Sequence, residues 1–143
     1  MILVDANLLL YAHNSSFARH RVAGRWLADV LSGAEPVRLA WLTILAFIRI
    51  GTNPRAFESP LSVGEASEIV TSWLSQPCVA ILEPTERHWD LLRRLLSQAR
   101  VRAASVMDAH LAVLAIEHGA VLYTTDRDFQ RFPGLKTRNP IAD

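Results

Sequence analysis

The chain has 143 residues, half of them hydrophobic and a fifth charged, with a formal net charge of +1. This composition excludes a disordered tail and favours one domain, residues 1–143, with a sizeable core. The single cysteine, Cys78, excludes an internal disulfide. The opening residues MILVDANLLLYAH predict neither a signal peptide nor a membrane span, because their apolar run is short and no basic region precedes it, so we expect a cytoplasmic protein without membrane contact.

Short apolar runs alternate with amphipathic segments along the first half of the chain. Strands are predicted over residues 1–4 and 37–40. Helices are predicted over residues 8–12, over 17–31 with Gly33 as the stop, over 43–51 before Asn53-Pro54, and from a capping box at Ser62 and Glu65 to about residue 75.

The same alternation continues to the end of the chain. Strands are predicted over residues 79–82, 120–124 and 135–138, and a loop or single turn over 125–132. Helices are predicted over residues 85–100, with Thr85 as the cap, and over 105–118 before Gly119. Strands separated by helices predict an α/β fold with a mostly parallel sheet of about five strands, covered by helices on both faces. The large aromatic side chains are predicted to be core residues: Tyr11, Trp26, Trp41, Trp73 and Trp89.

Acidic residues stand where parallel strands end. Asp5 follows the first predicted strand, Asp126 and Asp128 follow the strand over 120–124, and Asp108 opens the helix before that strand. Ligands of open parallel sheets bind beyond the carboxyl ends of the strands, so we expect these side chains to converge. Carboxylates that share a cleft repel one another unless a cation neutralises them, and an oxygen-only donor set selects Mg²⁺ or Mn²⁺.

Each aspartate also has a purely structural interpretation. Asp5 is suited to cap a turn or helix, Ser105 and Asp108 fit a capping box, and Asp126 with Asp128 fits a solvated turn. His110, two residues after Asp108, points away from it on a helix and is interpreted as a packed or surface histidine. The prediction of a metal site depends on the conjunction of the acidic residues.

Three segments together resemble the PIN-domain ribonucleases, and specifically the VapC-like toxins of type II toxin–antitoxin pairs. The opening MILVDANLLLYA resembles the family's first motif, an apolar strand that runs into Asp-x-Asn. The segment FIRIGTNPR, residues 47–55, resembles a signature of one VapC subgroup, and SVMDAHLAVLAIEHGAVLYTTDRDF, residues 105–129, resembles the family's closing half. The resemblance extends over nearly the whole chain and implies a PIN-like single domain.

The resemblance implies a Mg²⁺- or Mn²⁺-dependent endoribonuclease, in which a metal-activated water attacks an RNA phosphodiester in line. Asp5 and Asp108 match the family's metal ligands, and Asp126 matches a further catalytic acidic position. Asn7, Thr124 and Asp128 match supporting positions. It also implies a cognate antitoxin protein as partner, and we expect a homodimer because twofold homo-oligomers are common. The helical segments 17–31 and 43–51 are candidates for an antitoxin groove.

One expected carboxylate is missing. Many family members carry a glutamate in the helix over residues 43–51, and the alignment places Phe47 at that position. This departure keeps open an alternative, a catalytically weak or inactive PIN-fold module that binds RNA or protein. Arg49 and Thr52 beside the gap, and the later Arg100 and Arg102, are candidates for contacts with RNA.

A phosphatase or phosphotransfer enzyme with an aspartate nucleophile is a second enzymatic alternative, because such enzymes also begin with a strand that ends in Asp. They require a second aspartate where this chain has Asn7, and a lysine near the phosphate where Lys136 is the only lysine. The residues therefore favour the ribonuclease.

Overall fold

The computed structural model describes residues 1–142. Within this range five strands form one parallel sheet in the order β3-β2-β1-β4-β5, which confirms the predicted α/β class. The strands are β1 (Ile2–Val4), β2 (Val37–Leu39), β3 (Val79–Ile81), β4 (Val121–Tyr123) and β5 (Thr137–Arg138).

Six α-helices connect these strands: α1 (Ala6–His13), α2 (His20–Leu31), α3 (Trp41–Gly51), α4 (Val63–Leu74), α5 (His88–Gln98) and α6 (Val106–His118). Short 3₁₀ helices lie at Ala103–Ser105 and Arg127–Arg131, and the latter occupies the predicted loop or turn. In the part of the chain that the structure describes, no helix has the length and apolar character needed to cross a bilayer.

The order of the strands creates a crevice beside β1. The chain builds β2 and β3 on one side of β1 and places β4 and β5 on the other, so the direction of winding reverses between β1 and β4. These two strands pair in parallel, with Val4 opposite Tyr123. Helices leave neighbouring strand ends in opposite directions at such a reversal, which opens the crevice in which α/β proteins bind ligands.

The sheet is covered on both faces because side chains alternate along each strand. In β1, Ile2 and Val4 pack into a cluster with residues of α1, α2, α3 and α4. Leu3, between them, packs into a second cluster with residues of α5 and α6. The predicted two-faced cover of helices is therefore present.

Local signals located some helix ends well. Ser62 Oγ accepts a hydrogen bond from the Glu65 amide at 3.0 Å, and Glu65 accepts one from the Ser62 amide at 2.9 Å, so the predicted capping box is present. Gly119 ends α6 with a φ of 65°, a left-handed conformation that glycine adopts without strain. The prediction for Thr85 is wrong, because α5 begins at His88 and the Thr85 hydroxyl accepts a bond from the Arg87 amide in the preceding turn.

The prediction that all the large aromatic residues are core residues is wrong for two tryptophans. Trp73 is 2% exposed, but Trp41 is 50% exposed and Trp89 is 65% exposed. Trp41 is the first residue of α3, and its indole N–H donates to a Glu83 carboxylate oxygen at 3.2 Å. On α5 only Leu95 is fully buried, so Trp89 lies off the inward stripe.

Replacing tryptophan by alanine should therefore have opposite results at two positions. Trp73→Ala should lower the free energy of unfolding by about 3–5 kcal/mol, because it leaves a cavity in the core. Trp89→Ala should change it by about 0.5 kcal/mol or less, as an exposed position allows. Urea denaturation of both variants measures the difference, and equal losses would contradict the assignment of Trp89 to the surface.

Candidate active site

Asp5 lies in the crevice between β1 and β4 because it directly follows β1 and begins α1. Its extended backbone (φ −79°, ψ 151°) turns the chain from strand to helix, and its Oδ1 accepts a hydrogen bond from the Ala6 amide at 2.8 Å. The interpretation of Asp5 as a helix cap is therefore correct. Capping uses only Oδ1, and Oδ2 accepts a separate hydrogen bond from Thr124.

Thr124 connects Asp5 to the end of β4. Its hydroxyl donates to Asp5 Oδ2 at 2.7 Å and accepts from the Asp126 amide at 3.0 Å. The threonine is buried, so one hydroxyl fixes the orientation of the first carboxylate and the path of the backbone that carries the second. Asp126 in turn caps the following 3₁₀ helix by accepting from the Asp128 amide at 2.9 Å.

Asp108 enters the same crevice from the first turn of α6. Burial raises the pKa of its carboxyl group, and the neighbouring charges of Asp5 and Asp126 raise it further, against a lowering by Arg131. Burial likewise raises the pKa of Asp5, although the hydrogen bonds from Thr124 and Ala6 oppose the rise. The aspartates therefore share one electrostatic environment, as the sequence predicted.

The structure answers two of the alternative interpretations. Ser105 precedes α6 but makes no side-chain cap hydrogen bond, so the capping box proposed for Ser105 and Asp108 is wrong. Asp128 is exposed and contributes its amide to the turn, and its charge raises the pKa of Asp108. Its carboxylate does not line the crevice.

We call the crevice the carboxylate cleft. It has a volume of about 650 Å³ and is walled by α1, α3, α6 and the segment after β4. Its rim is apolar on both sides, since Leu45 of α3 and Met107 of α6 are each 61% exposed. The residues that line the cleft include Asp5, Asn7, Thr43, Ala46, Arg49, Asp108, Asp126 and Phe129.

The donor set fits a divalent cation held by few protein ligands. No three His, Cys, Asp or Glu side chains among residues 1–142 are close enough together to hold one ion jointly. Mg²⁺ commonly uses one or two carboxylates and completes its coordination with water and substrate phosphate oxygens. Asp5 and Asp108, whose ionised forms the fold disfavours without a counter-charge, match that mode of binding.

The candidate RNA-contacting residues divide between cleft and surface. Arg49 lines the cleft, whereas Thr52 ends α3 and donates its hydroxyl to the Ile48 carbonyl at 2.7 Å, away from the cleft. Arg100 and Arg102 are exposed beyond the end of α5 and do not line the cleft either. Lys136 is exposed and outside the cleft, so it does not serve the phosphotransfer alternative.

Phe47, which the sequence comparison aligned with the missing glutamate, does not face the cleft. Phe47 is 0% exposed and packs against Trp73 with ring centroids 4.7 Å apart, on the side of α3 that faces the core. Its neighbour Ala46 lines the cleft instead. The helix therefore contributes no carboxylate to the cleft, and Thr43 and Ala46 are among its cleft-lining positions.

Sequence reasoning missed Arg131 and the cleft position of Ala46. Arg131 lies at the end of the 3₁₀ helix after β4, and its charge lowers the pKa of Asp108. Its spacing of five residues from Asp126 is the only signal in the sequence, and it has meaning only once the chain between them forms a 3₁₀ helix. The alignment of the missing glutamate with Phe47 stays a prediction, and the structure adds that Ala46 rather than Phe47 lines the cleft.

His110 lies outside the cleft, as predicted for a packed residue. Its Nδ1 is 2.9 Å from His88 Nε2, and His88 Nδ1 contacts the Glu117 carboxylate. Glu117 also accepts a bond from the Thr85 amide. This chain of contacts ties the start of α5 to α6 and so holds the helix that presents Asp108.

A parallel sheet with aspartates gathered at the point where its winding reverses is suited to hydrolysis of phosphate esters with a divalent cation. The family model of the PIN domain matches residues 2–135, and the chain belongs to that family. Ribonuclease VapC37 of Mycobacterium tuberculosis is 44% identical over 142 residues, 99% of each chain. Ribonuclease VapC33 of the same species is 36% identical over the full length of both chains.

Solved structures show the same fold at lower identity. Mycobacterium tuberculosis VapC20, described as a sarcin–ricin loop cleaving toxin, superposes with a TM-score of 0.68 at 20% identity and covers 95% of this chain and 99% of its own. VapBC2 from Rickettsia felis, bound to a DNA fragment from its promoter, gives 0.67 at 18% identity with 97% and 98% covered.

Two neighbouring glutamate substitutions should separate the cleft-facing and core-facing sides of α3. Ala46→Glu adds a carboxylate to the cleft and should tighten Mn²⁺ binding by roughly tenfold or more, because affinity rises with the number of charged ligands. Phe47→Glu should instead lower the free energy of unfolding by more than about 3 kcal/mol, since it removes a buried ring and buries a charge.

Calorimetric titration with Mn²⁺ and urea denaturation measure the two effects. If Ala46→Glu bound the ion no more tightly than the natural chain, position 46 would not reach the metal.

Metal-free stability should depend on the cleft aspartates in a defined direction. The pKa of Asp108 is above its ordinary value of 3.8 in the folded chain, so its contribution to stability is present at low pH and is lost as the pH rises through the folded pKa. Asp108→Asn should therefore be more stable than the natural chain at pH 7 in chelator. Mg²⁺ at about 100 times its Kd should stabilise the natural chain by about 2.7 kcal/mol and leave the variant unchanged.

Thermal unfolding from pH 4 to 8, with chelator and with Mg²⁺, measures both effects. Asp29→Asn, at an exposed position of α2, is the matched control and should respond as the natural chain does. An equal Mg²⁺-dependent gain in Asp108→Asn would exclude Asp108 as a ligand.

Proposed function

We propose that the protein is a Mg²⁺- or Mn²⁺-dependent endoribonuclease, the toxin of a toxin–antitoxin pair. The observation that carries the proposal is the convergence of Asp5, Asp108 and Asp126 in one cleft at the β1–β4 reversal. Full-length relatives at 36–44% identity are named ribonucleases, which supports RNA as the substrate.

The residues of the cleft divide the work. Asp5 and Asp108 would hold the cation, and the Thr124 hydroxyl keeps the Asp5 carboxylate in one orientation. When bound, a divalent cation stabilises negative charge on a phosphodiester and lowers the pKa of water. Asp126, anchored by its own turn, would orient the attacking water and accept its proton. The water oxygen then bonds to phosphorus while the bond from phosphorus to the leaving ribose oxygen breaks, and that oxygen takes a proton from solvent.

The substrate needs support outside the carboxylates, which repel a phosphate in the absence of metal. Arg49 lines the cleft and offers a bidentate contact to a phosphate oxygen. The apolar rim at Leu45 and Met107 suits the face of an unpaired base rather than the edge of a duplex. These features favour cleavage in a single-stranded segment of RNA.

A second candidate function is a PIN-fold module that binds RNA or protein without cutting RNA. The specific observation in its favour is that α3 contributes no carboxylate to the cleft, because Ala46 and Thr43 stand at its cleft-facing positions. Fewer ligands weaken the affinity for the cation on which hydrolysis depends.

Cleavage of a total RNA pool by the purified protein distinguishes the two candidates. Discrete products should form with Mg²⁺ or Mn²⁺ and not with chelator. Asp5→Asn and Asp108→Asn should each lower the rate by roughly 100-fold or more, since each removes charge that supports the transition state. Thr124→Val should lower it by about 10–100-fold, as substitutions behind a metal ligand do.

The controls use folded proteins. Asp29→Asn should cut as fast as the natural chain, and thermal unfolding should show that the inactive variants are folded. If the natural chain bound RNA but formed no products with any divalent ion, the binding module would replace the nuclease.

We further propose an antitoxin partner and a homodimer. Solved structures of the same fold include VapBC proteins, and α2 and α3 leave apolar side chains exposed, including Val22 and Leu45. Co-purification with a small protein encoded beside this chain tests the first proposal. The molecular mass at micromolar concentration tests the second, and a monomeric mass would count against it.

A further inference from the structure

A second cleft of about 630 Å³ adjoins the carboxylate cleft and contains no acidic side chain among the described residues that line it. It lies between the turn before α2, the segment after β4 and the segment after β5. Its lining includes Tyr11, Phe17, Arg19, Thr125, Arg127 and Asn139. Its size is in the range of small-ligand sites, and its polar groups include several hydrogen-bond donors.

Three consecutive residues, Thr125, Asp126 and Arg127, separate the two clefts, and we call this segment the ridge. Asp126 has extended backbone (φ −87°, ψ 114°), and successive side chains of an extended chain point to opposite sides. Accordingly Asp126 lines the carboxylate cleft, whereas Thr125 and Arg127 line the second cleft. An RNA strand that crosses this ridge would pass from the aspartates of the carboxylate cleft to Arg127.

Arg127 is available to a ligand. It is exposed and has no hydrogen-bonded or ionic partner among the residues that the structure describes. Arg19, in the same cleft, is already engaged, since it donates to the Ile141 carbonyl. Asn139 accepts from the Ile141 amide at 3.1 Å through its side-chain oxygen, which leaves its amide N–H groups as donors.

The aromatic side chains of the cleft add a surface for a base. Tyr11 and Phe17 meet edge to face, with centroids 4.6 Å apart, and both are half-buried. A cationic group beside aromatic rings is the combination that binds single-stranded nucleic acid. A free anion would use only Arg127, whereas a nucleotide would use both Arg127 and the aromatic rings.

We infer that the second cleft binds the RNA strand on one side of the cut, with Arg127 in contact with a backbone phosphate. The inference rests on the proposed ribonuclease function and adds a positioning residue to it. The negative carboxylate cleft gives a polyanion little affinity of its own, so charge beyond the ridge holds the strand across the aspartates.

Binding and cleavage of a single-stranded RNA oligonucleotide test this inference. Affinity is measured by fluorescence anisotropy in chelator, where the strand stays intact, between 50 and 200 mM salt. Arg127→Gln should bind about five- to tenfold more weakly at the lowest salt, and its plot of log affinity against log salt should be shallower by about 0.7, the value of one phosphate contact on a single strand. Arg127→Lys should keep the slope of the natural chain.

Arg94→Gln is the matched control, because Arg94 is an exposed arginine on α5 that lines neither cleft. In Mg²⁺, Arg127→Gln should raise KM with kcat within about twofold, since the contact is made equally in the ground and transition states.

An Arg127→Gln variant that matched Arg94→Gln in affinity and salt slope, while the natural chain cut RNA, would overturn the inference and leave the proposed function intact. RNA binding that depends on Arg127 without any cleavage would keep the contact between Arg127 and RNA, but it would refute the nuclease and with it the statement that the bound strand continues to a cut. Unchanged RNA affinity together with weaker capture of an acidic partner protein would assign the cleft to that protein instead.

Discussion

The hydrogen bond from the Thr124 hydroxyl to Asp5 Oδ2 joins the ends of the two central strands. It forms because β1 and β4 are neighbours in the sheet, although 119 residues separate the two side chains along the chain. The same hydroxyl accepts the Asp126 amide, so one buried group sets the geometry of a carboxylate and of the turn that follows. The Thr124 hydroxyl therefore anchors the start of the segment that contains Asp126, Arg127 and the 3₁₀ helix.

The cleft concentrates negative charge that the fold itself does not neutralise. Burial raises the pKa of Asp5 and Asp108, and Arg131 offsets only part of the effect at Asp108. Buried carboxylates that lack a counter-charge lower the stability of a fold, and under the proposed function a bound cation would offset that cost. Positive charge lies near these carboxylates, at Arg49 in the cleft and at Arg127 on the side of the second cleft, where it can attract a polyanion.

Helix α3 shows how one residue of register changes a functional interpretation. A glutamate at position 47 would lie beside Trp73 in the core, whereas at position 46 it would lie in the cleft. Successive residues on a helix are 100° apart, so a shift of one residue is enough to move a side chain from the core to the cleft. The tryptophans show the same dependence on helix rotation. Trp89 is a residue type typical of cores, but its angular position on α5 places it in solvent.

Local sequence was enough to predict the class of fold and most element positions, because strand periodicity, capping and turn chemistry act over a few neighbouring residues. It also predicted that the side chains of Asp5, Asp108 and Asp126 come together. The capping box at Ser62 and the stop at Gly119 followed from such signals. Only the tertiary structure decided that β4 lies beside β1, that Ala46 rather than Phe47 faces the cleft, that Thr52, Arg100 and Arg102 stand away from it, and that Arg127 lines a second cleft. These features depend on strand order and helix rotation, which are set by the burial of many distant side chains at once and have no signature in a short segment of sequence.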